Sequence, residues 1–188
     1  MPDCRIYPLT LERWNDFVTL FGKRGACGGC WCMYWRLNRA QFEQQKGEGN
    51  RQAMQELVAC GEVPGLLAYA DGQAVGWCSL GPRQSFPVLE RSRILKRVDD
   101  QPVWSVVCFF VAKSHRRQGI TLQLLQTALD FARVHGATIV DGYPIDSKVE
   151  KMPDVFAYTG IASIFRKAGF VEVIRRSERR PVMRCTLG

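Results

Sequence analysis

The segment from Val103 to Tyr143 constrains the fold of this chain more than any other. Residues 103–111, VWSVVCFFV, form a run of β-branched and aromatic side chains with little polar alternation, the pattern of a strand covered on both faces. A basic loop follows, and then a helix with Ile120, Leu124, Ala128 and Phe131 on one stripe, Leu125, Leu129 and Ala132 beside it, and Gly136 at its end. Residues 137–143 form a second apolar strand. A strand, a helix and a strand in this order make a parallel crossover unit, so the chain is expected to be an α/β (α+β) protein built on a mixed sheet.

The flanking sequence supplies the rest of that sheet. Residues 4–9 alternate as a short strand, and Thr10 is placed to cap a helix carrying Leu11, Trp14, Phe17, Val18 and Phe21. Residues 25–36, GACGGCWCMYWR, read as a loop whose large side chains fold back on the body, and Asn50 is expected to cap a helix presenting Met54, Leu57 and Val58. Asp71-Gly72 between two apolar runs signals a tight hairpin. Residues 81–102, rich in Arg and Lys and bounded by prolines, read as an exposed insert with a short helix near residues 92–98. A helix near residues 160–168 and strands at 170–175 and 181–185 complete a single domain over residues 1–188, without repeat or linker.

Composition narrows the function classes. With 46% hydrophobic and 23% charged residues the chain is neither disordered nor low in complexity. No apolar run approaches the ~20 residues of a membrane span, and the opening residues lack a signal-peptide layout, so a soluble, cytoplasmic protein without membrane contact is expected. The formal charge of +8 favours anionic partners, and Arg166, Lys167, Arg175, Arg176, Arg179, Arg180 and Arg184 concentrate it near the end. The eight cysteines read as thiols. Cys27, Cys30 and Cys32 form C-x2-C-x-C, but no second pair or histidine lies near enough in sequence to complete a zinc site, so no metal is expected.

Chemistry concentrates in Lys113-Ser114-His115-Arg116-Arg117-Gln118-Gly119-Ile120-Thr121, which joins a buried strand to a long helix. Free N–H groups and the positive helix end converge at such a junction, which suits a pyrophosphate, and Gly119 lets the backbone approach it. Neither a Walker loop nor a dinucleotide-binding glycine turn is present.

Arg116-Arg117-Gln118-Gly119-Ile120-Thr121 resembles the acyl-coenzyme A signature of the GNAT N-acetyltransferases, with Thr121 in place of the last small residue, and Phe165-Arg166-Lys167-Ala168-Gly169-Phe170 resembles their closing helix with its Gly-Phe exit. The resemblance covers nearly the whole chain. It implies a central twisted mixed sheet with helices on both faces, whose fourth and fifth strands splay to admit the pantetheine arm of acetyl-coenzyme A beside Phe109 and Val111. It implies direct attack of a primary amine on the thioester in a ternary complex, with a backbone N–H near Val111 holding the oxyanion. The tyrosine that protonates the leaving sulfur in many relatives is replaced by Phe165, and no glutamate lies on residues 103–111. Tyr158 is the expected acid and Tyr143 an acceptor-side contact, while His115 and His135 receive no catalytic role. The aromatic residues of the cysteine loop are expected to border the pocket of a small-molecule or peptide amine, and a homodimer stays open. The alternative is a non-catalytic coenzyme A-binding protein of the same fold that docks an acidic partner or nucleic acid through its basic C-terminal region. A nucleic-acid partner is disfavoured, because no aromatic-interleaved basic motif is present.

Overall fold

The computed structural model describes residues 4–146 and 158–188. Its seven strands are β1 (Arg5–Pro8), β2 (Gly65–Ala70), β3 (Gln73–Pro82), β4 (Trp104–Val111), β5 (Ile139–Gly142), β6 (Val171–Arg175) and β7 (Pro181–Thr186), and they form one sheet in the order β1-β2-β3-β4-β5-β7-β6. Among these seven described strands only β4 and β5 pair in parallel, joined by α5 (Ile120–Val134), the crossover the sequence announces. The β2–β3 hairpin turns at Asp71 (φ 49°) and Gly72 (φ 75°), the paired left-handed conformations of a type I′ turn.

Alternation along the strands sends side chains to two layers. Leu66, Ala68, Cys78 and Leu80 pack under α5 and α6 (Ala162–Lys167), together with Leu124, Leu125, Ala128 and Phe165. On the other face Leu67 and Trp77 pack against α1 (Trp14–Phe21), α3 (Glu48–Ala59) and the cysteine loop, where Phe17, Phe21 and Trp31 form an aromatic stack. Among the described residues no helix is long and apolar enough to cross a membrane.

Several sequence expectations are corrected. Thr10 does not cap its helix; it accepts a hydrogen bond from Arg13 (3.3 Å), and a 3-10 turn at Leu11–Arg13 leads into α1. Asn50 lies inside α3, fully buried, and its amide donates to the Gly29 carbonyl (3.1 Å), tying that helix to the cysteine loop. The cap role belongs to Asn38, whose carboxamide accepts from the Gln41 N–H (3.0 Å) at the start of α2 (Arg39–Gln44), a helix too short to announce itself by periodicity.

The segment 81–102 is not simply an exposed insert. Its helix is α4 (Pro87–Arg91), with proline in the first turn, and residues 92–98 are not helical. Arg91, Arg93, Lys96 and Arg97 do face solvent, but Phe86, Leu89 and Leu95 are buried with Val107, Tyr143, Val182 and Trp35 in a third apolar cluster. Basic and apolar residues are interspersed there without a clear period, and three well-spaced apolar anchors suffice to pin the segment to the sheet.

Candidate active site

The site begins with an irregularity in β4. Ser79 pairs with Cys108 and Leu80 with Val106, so Val107 has no partner of its own and forms a bulge. The packing confirms the slip: Val106 and Phe109, three residues apart, face the α5 side, while Cys108 and Phe110 face the other. A bulge bends its strand, and β4 keeps register with β5 only across Trp104, Ser105 and Val106. Beyond that point the two strands part.

Hydrogen bonding shows which backbone groups face the opening. Ala112 donates its N–H to Val75 on β3 (2.8 Å), so the groups of Val111 point the opposite way, into the splay. Arg116 reaches back to the Val111 carbonyl (3.1 Å). Phe109 also points into the splay, but its N–H is taken by the Tyr158 carbonyl (2.6 Å). Of the two β4 positions assigned by resemblance to the pantetheine arm, Val111 faces the open part of the splay, whereas the Phe109 N–H is already engaged by the chain itself.

The loop after β4 is preshaped. Gln118 donates to the Ser114 carbonyl (3.2 Å), Arg117 has φ 61° and Gly119 has φ 84°, and the Gly119 carbonyl accepts the first helical bonds from Leu122 and Gln123. The first N–H groups of a fifteen-residue helix have no intrahelical partner, and alternating left-handed residues before it turn successive N–H groups into an anion-binding concavity. The Ile120 side chain is buried in the core and anchors the helix end; Arg117 is exposed, and Arg116, Gln118 and Thr121 are half-buried around the concavity. Thr159, next to Tyr158, is fully buried, and among the described residues its hydroxyl finds no partner. An anion-binding helix end beside a parted strand pair fits an extended ligand with a pyrophosphate at one end and amides along its arm.

A cleft of about 400 Å³ lies between the cysteine loop and the 81–102 segment, lined by Tyr34, Trp35, Arg91, Leu95, Arg180 and, among others, Tyr158, whose carbonyl engages Phe109 at the splay. Tyr158 is half-buried, and its ring lies 6.4 Å from that of Trp35. Burial pushes its phenol up to about 12, against the charge of Arg180. It therefore keeps its proton throughout the physiological range.

Tyr143 occupies a different environment from the one expected. It is fully buried, accepts a hydrogen bond from Arg83 (2.6 Å) and shares another with Ser105 (2.9 Å). Arg83, itself 2% exposed, also donates to Glu90 (2.7 Å) and to the Leu95 carbonyl (3.0 Å). This network fastens the 81–102 segment to the sheet, and the structure places the Tyr143 hydroxyl, expected as an acceptor-side contact, within it and not among the residues that line the cleft. Phe165, at the position of the missing tyrosine, is fully buried with its ring against Gly142 and edge-on to Phe109 (6.1 Å) and Phe170 (4.9 Å). It is a packing residue.

The cysteine loop delivers Cys32 onto Trp77, whose indole N–H donates to the sulfur (3.2 Å). A hydrogen bond from Cys108 holds the Cys32 thiol down to about 7, with Trp77, Ser79 and Arg36 assisting against burial. The same bond, with burial, pushes Cys108 up. Among the described residues no three His, Cys, Asp or Glu side chains converge as a metal ion would require. Sequence reading missed this thiol pair, because Cys32 and Cys108 are distant in sequence and meet only through the Ser79–Cys108 register. It missed the burial of Arg83 for a similar reason: an arginine amid basic residues gives no sign that it points inward.

The profile of the Acetyltransferase (GNAT) family matches residues 31–142, more than half of the chain. The chain belongs to the GNAT acetyltransferase family. Solved structures share the fold across nearly the full length. An N-acetyltransferase from Staphylococcus aureus Mu50 is 14% identical with a TM-score of 0.57, covering 99% of each chain. The PaiA N-acetyltransferase from Thermoplasma acidophilum in complex with coenzyme A is 14% identical with a TM-score of 0.56, covering 98% of this chain and 99% of its own. A protein described as histone acetyltransferase HPA2 and related acetyltransferase, from Corynebacterium glutamicum ATCC 13032, is 17% identical with a TM-score of 0.56, covering 100% of this chain and 98% of its own. No curated protein is significantly similar in sequence. The mixed seven-stranded sheet and its parallel β4–β5 pair are those the GNAT resemblance implies.

Proposed function

We propose that this GNAT-family chain moves an acetyl group from acetyl-coenzyme A to a primary amine by direct attack in a ternary complex. The observation that carries the reading is the alignment of three features: the concavity at Arg117–Gly119, the splay opened by the Val107 bulge, and the aromatic cleft that adjoins it at Tyr158. Acetyl-coenzyme A, when bound, supplies a thioester carbonyl and a thiolate leaving group. The N–H groups at residues 118–121, with Arg116 and Arg117, hold the pyrophosphate. The Val111 N–H, directed into the splay, is the donor placed to stabilise an oxyanion. Tyr158, protonated and at the junction of splay and cleft, donates a hydrogen bond to the leaving sulfur, while the proton that balances the reaction comes from the attacking nitrogen.

The docking alternative loses support where its basic region is described. Arg166 and Arg175 pair with Asp146 (3.0 and 2.6 Å), Arg184 pairs with Asp141 and Asp99 (2.7 and 2.6 Å), and Arg176 donates to carbonyls of Lys96 and Arg97 (2.7 and 2.8 Å). Four of the seven cations of that region are thus held by internal partners, which weakens it as a docking face for an anion.

The test is free-thiol release from acetyl-coenzyme A over a panel of amines, with Tyr158→Phe beside the parent. Turnover by the parent, and a drop of ~100-fold or more in the variant at nearly unchanged coenzyme A affinity, is the expected result for a donor to the leaving group. Binding of acetyl-coenzyme A with no turnover of any amine restores the binding-protein alternative, and equal rates make Tyr158 a packing residue, with solvent as the hydrogen-bond donor to the leaving sulfur.

A further inference from the structure

The cleft has a charge and shape that select among amines. Its lining contains two cations, Arg91 and Arg180, and no carboxylate. Among the described residues neither guanidinium takes part in an ion pair, although most arginines of the neighbouring strands do. Arg180 is half-buried and approaches the Tyr158 hydroxyl, so it stands on the same side of the cleft as the splay. Apart from Ser92, whose hydroxyl accepts from the Leu95 N–H (3.1 Å), the remaining walls are flat or apolar: Trp35 stands edge-on to Tyr34 (5.1 Å) and tilts over Tyr158 (6.4 Å), and Leu95 is buried. Trp35 is 6% exposed.

We propose that the acceptor is an amine carrying a carboxylate on an aromatic or flat apolar body, with Arg180, assisted by Arg91, as the carboxylate's partner and the Trp35–Tyr158 pair as the platform for the body. A guanidinium fork matches a carboxylate in two parallel hydrogen bonds, and aromatic walls favour a planar body. The volume of about 400 Å³ suits a single small molecule of this kind. A polyamine or a lysine side chain fits badly, since its distal ammonium would face two arginines with no acid to receive it. The inference rests on the acetyl-transfer reading and refines its acceptor.

Matched pairs test it: L-phenylalanine against L-phenylalaninamide, and 4-(aminomethyl)benzoate against benzylamine, each as acceptor with saturating acetyl-coenzyme A. The carboxylate member is expected to have the higher kcat/KM by about 10-fold or more, the scale of one charged hydrogen-bonded contact. Arg180→Gln should raise KM for the carboxylate members about 10-fold more than for the neutral ones, so that the preference within each pair disappears, which a merely structural loss would not do, and its melting temperature checks folding. Calorimetry of 4-(aminomethyl)benzoate and benzylamine with the protein gives a readout that does not require turnover, with measurable heat expected for the first alone. Equal efficiency within each pair overturns the proposal while leaving acetyl transfer intact. So does an Arg180→Gln variant that loses both members alike, or equal heats in the calorimeter. Failure of acetyl-coenzyme A itself to bind sinks the acetyl-transfer reading instead, and the calorimetric pair still decides whether the cleft selects a carboxylate.

Discussion

Replacing Tyr143 by Phe removes one oxygen from the most buried polar network of the molecule and leaves the ring in place. The hydroxyl is the partner of the Arg83 guanidinium at 2.6 Å and of Ser105 at 2.9 Å, and all three residues are 2% exposed or less. No cavity of consequence follows, so the cost is that of a charged donor and a serine left unpaired away from water, about 2 kcal/mol. For a chain of this size that corresponds to roughly 4–8 °C in melting temperature. A second signature lies at alkaline pH. Burial pushes the Tyr143 phenol from 10.0 up to about 12. Above pH 10 the unfolded chain releases this proton while the folded chain holds it, so the contribution is complete below pH 10 and is lost by pH 12. Two units amount to about 2.7 kcal/mol at the limit. The variant should therefore show a lower denaturation midpoint at pH 7 and a shallower loss of stability between pH 10 and 12. The limb shrinks without vanishing, because Tyr158 and Tyr69 are raised as well. Urea denaturation of both proteins across that pH range is the assay. Equal stability with an identical alkaline limb refutes the reasoning, and unchanged stability with lost turnover would return Tyr143 to the acceptor site.

Two further predictions follow from the same packing. Gly142→Ala should destabilise by about 1–3 kcal/mol, since a Cβ there would fall inside the Phe165 ring, and a melting temperature equal to the parent's would show that the ring yields freely. Elemental analysis of the purified protein should find no stoichiometric zinc, because Cys32 and Cys108 satisfy one another and Trp77 in place of a metal; one zinc per chain would overturn that account of the thiols.

What the sequence could and could not announce follows from how each feature is encoded. Asp71-Gly72 fixes a turn by its own backbone preferences, and a strand, a basic loop and a striped helix fix a crossover, so both are visible locally. The Val107 bulge is not, because a run apolar on both faces has no alternation to interrupt. Arg83, Asn50 and Tyr143 looked like surface or site residues because their polar atoms are satisfied by groups remote in sequence: a Leu95 carbonyl, a Gly29 carbonyl, a Ser105 hydroxyl. The helix end at Gly119 was legible, since glycine before a striped helix and after a buried strand serves both the turn and a close anionic approach. That the Tyr158 carbonyl would engage Phe109 could not be foreseen, as it depends on how the chain returns toward the splay after β5.

Calorimetric titration of acetyl-coenzyme A into the parent protein and Gly119→Trp tests the central claim most directly. The indole at residue 119 would stand over the helix end where the pyrophosphate rests, at a backbone φ of 84° whose strain is about 1–2 kcal/mol for a non-glycine residue, so thermal melting is recorded alongside. The account predicts saturable binding by the parent and no measurable heat from a variant that still melts cooperatively. Binding of acetyl-coenzyme A by Gly119→Trp with the parent's affinity would contradict it.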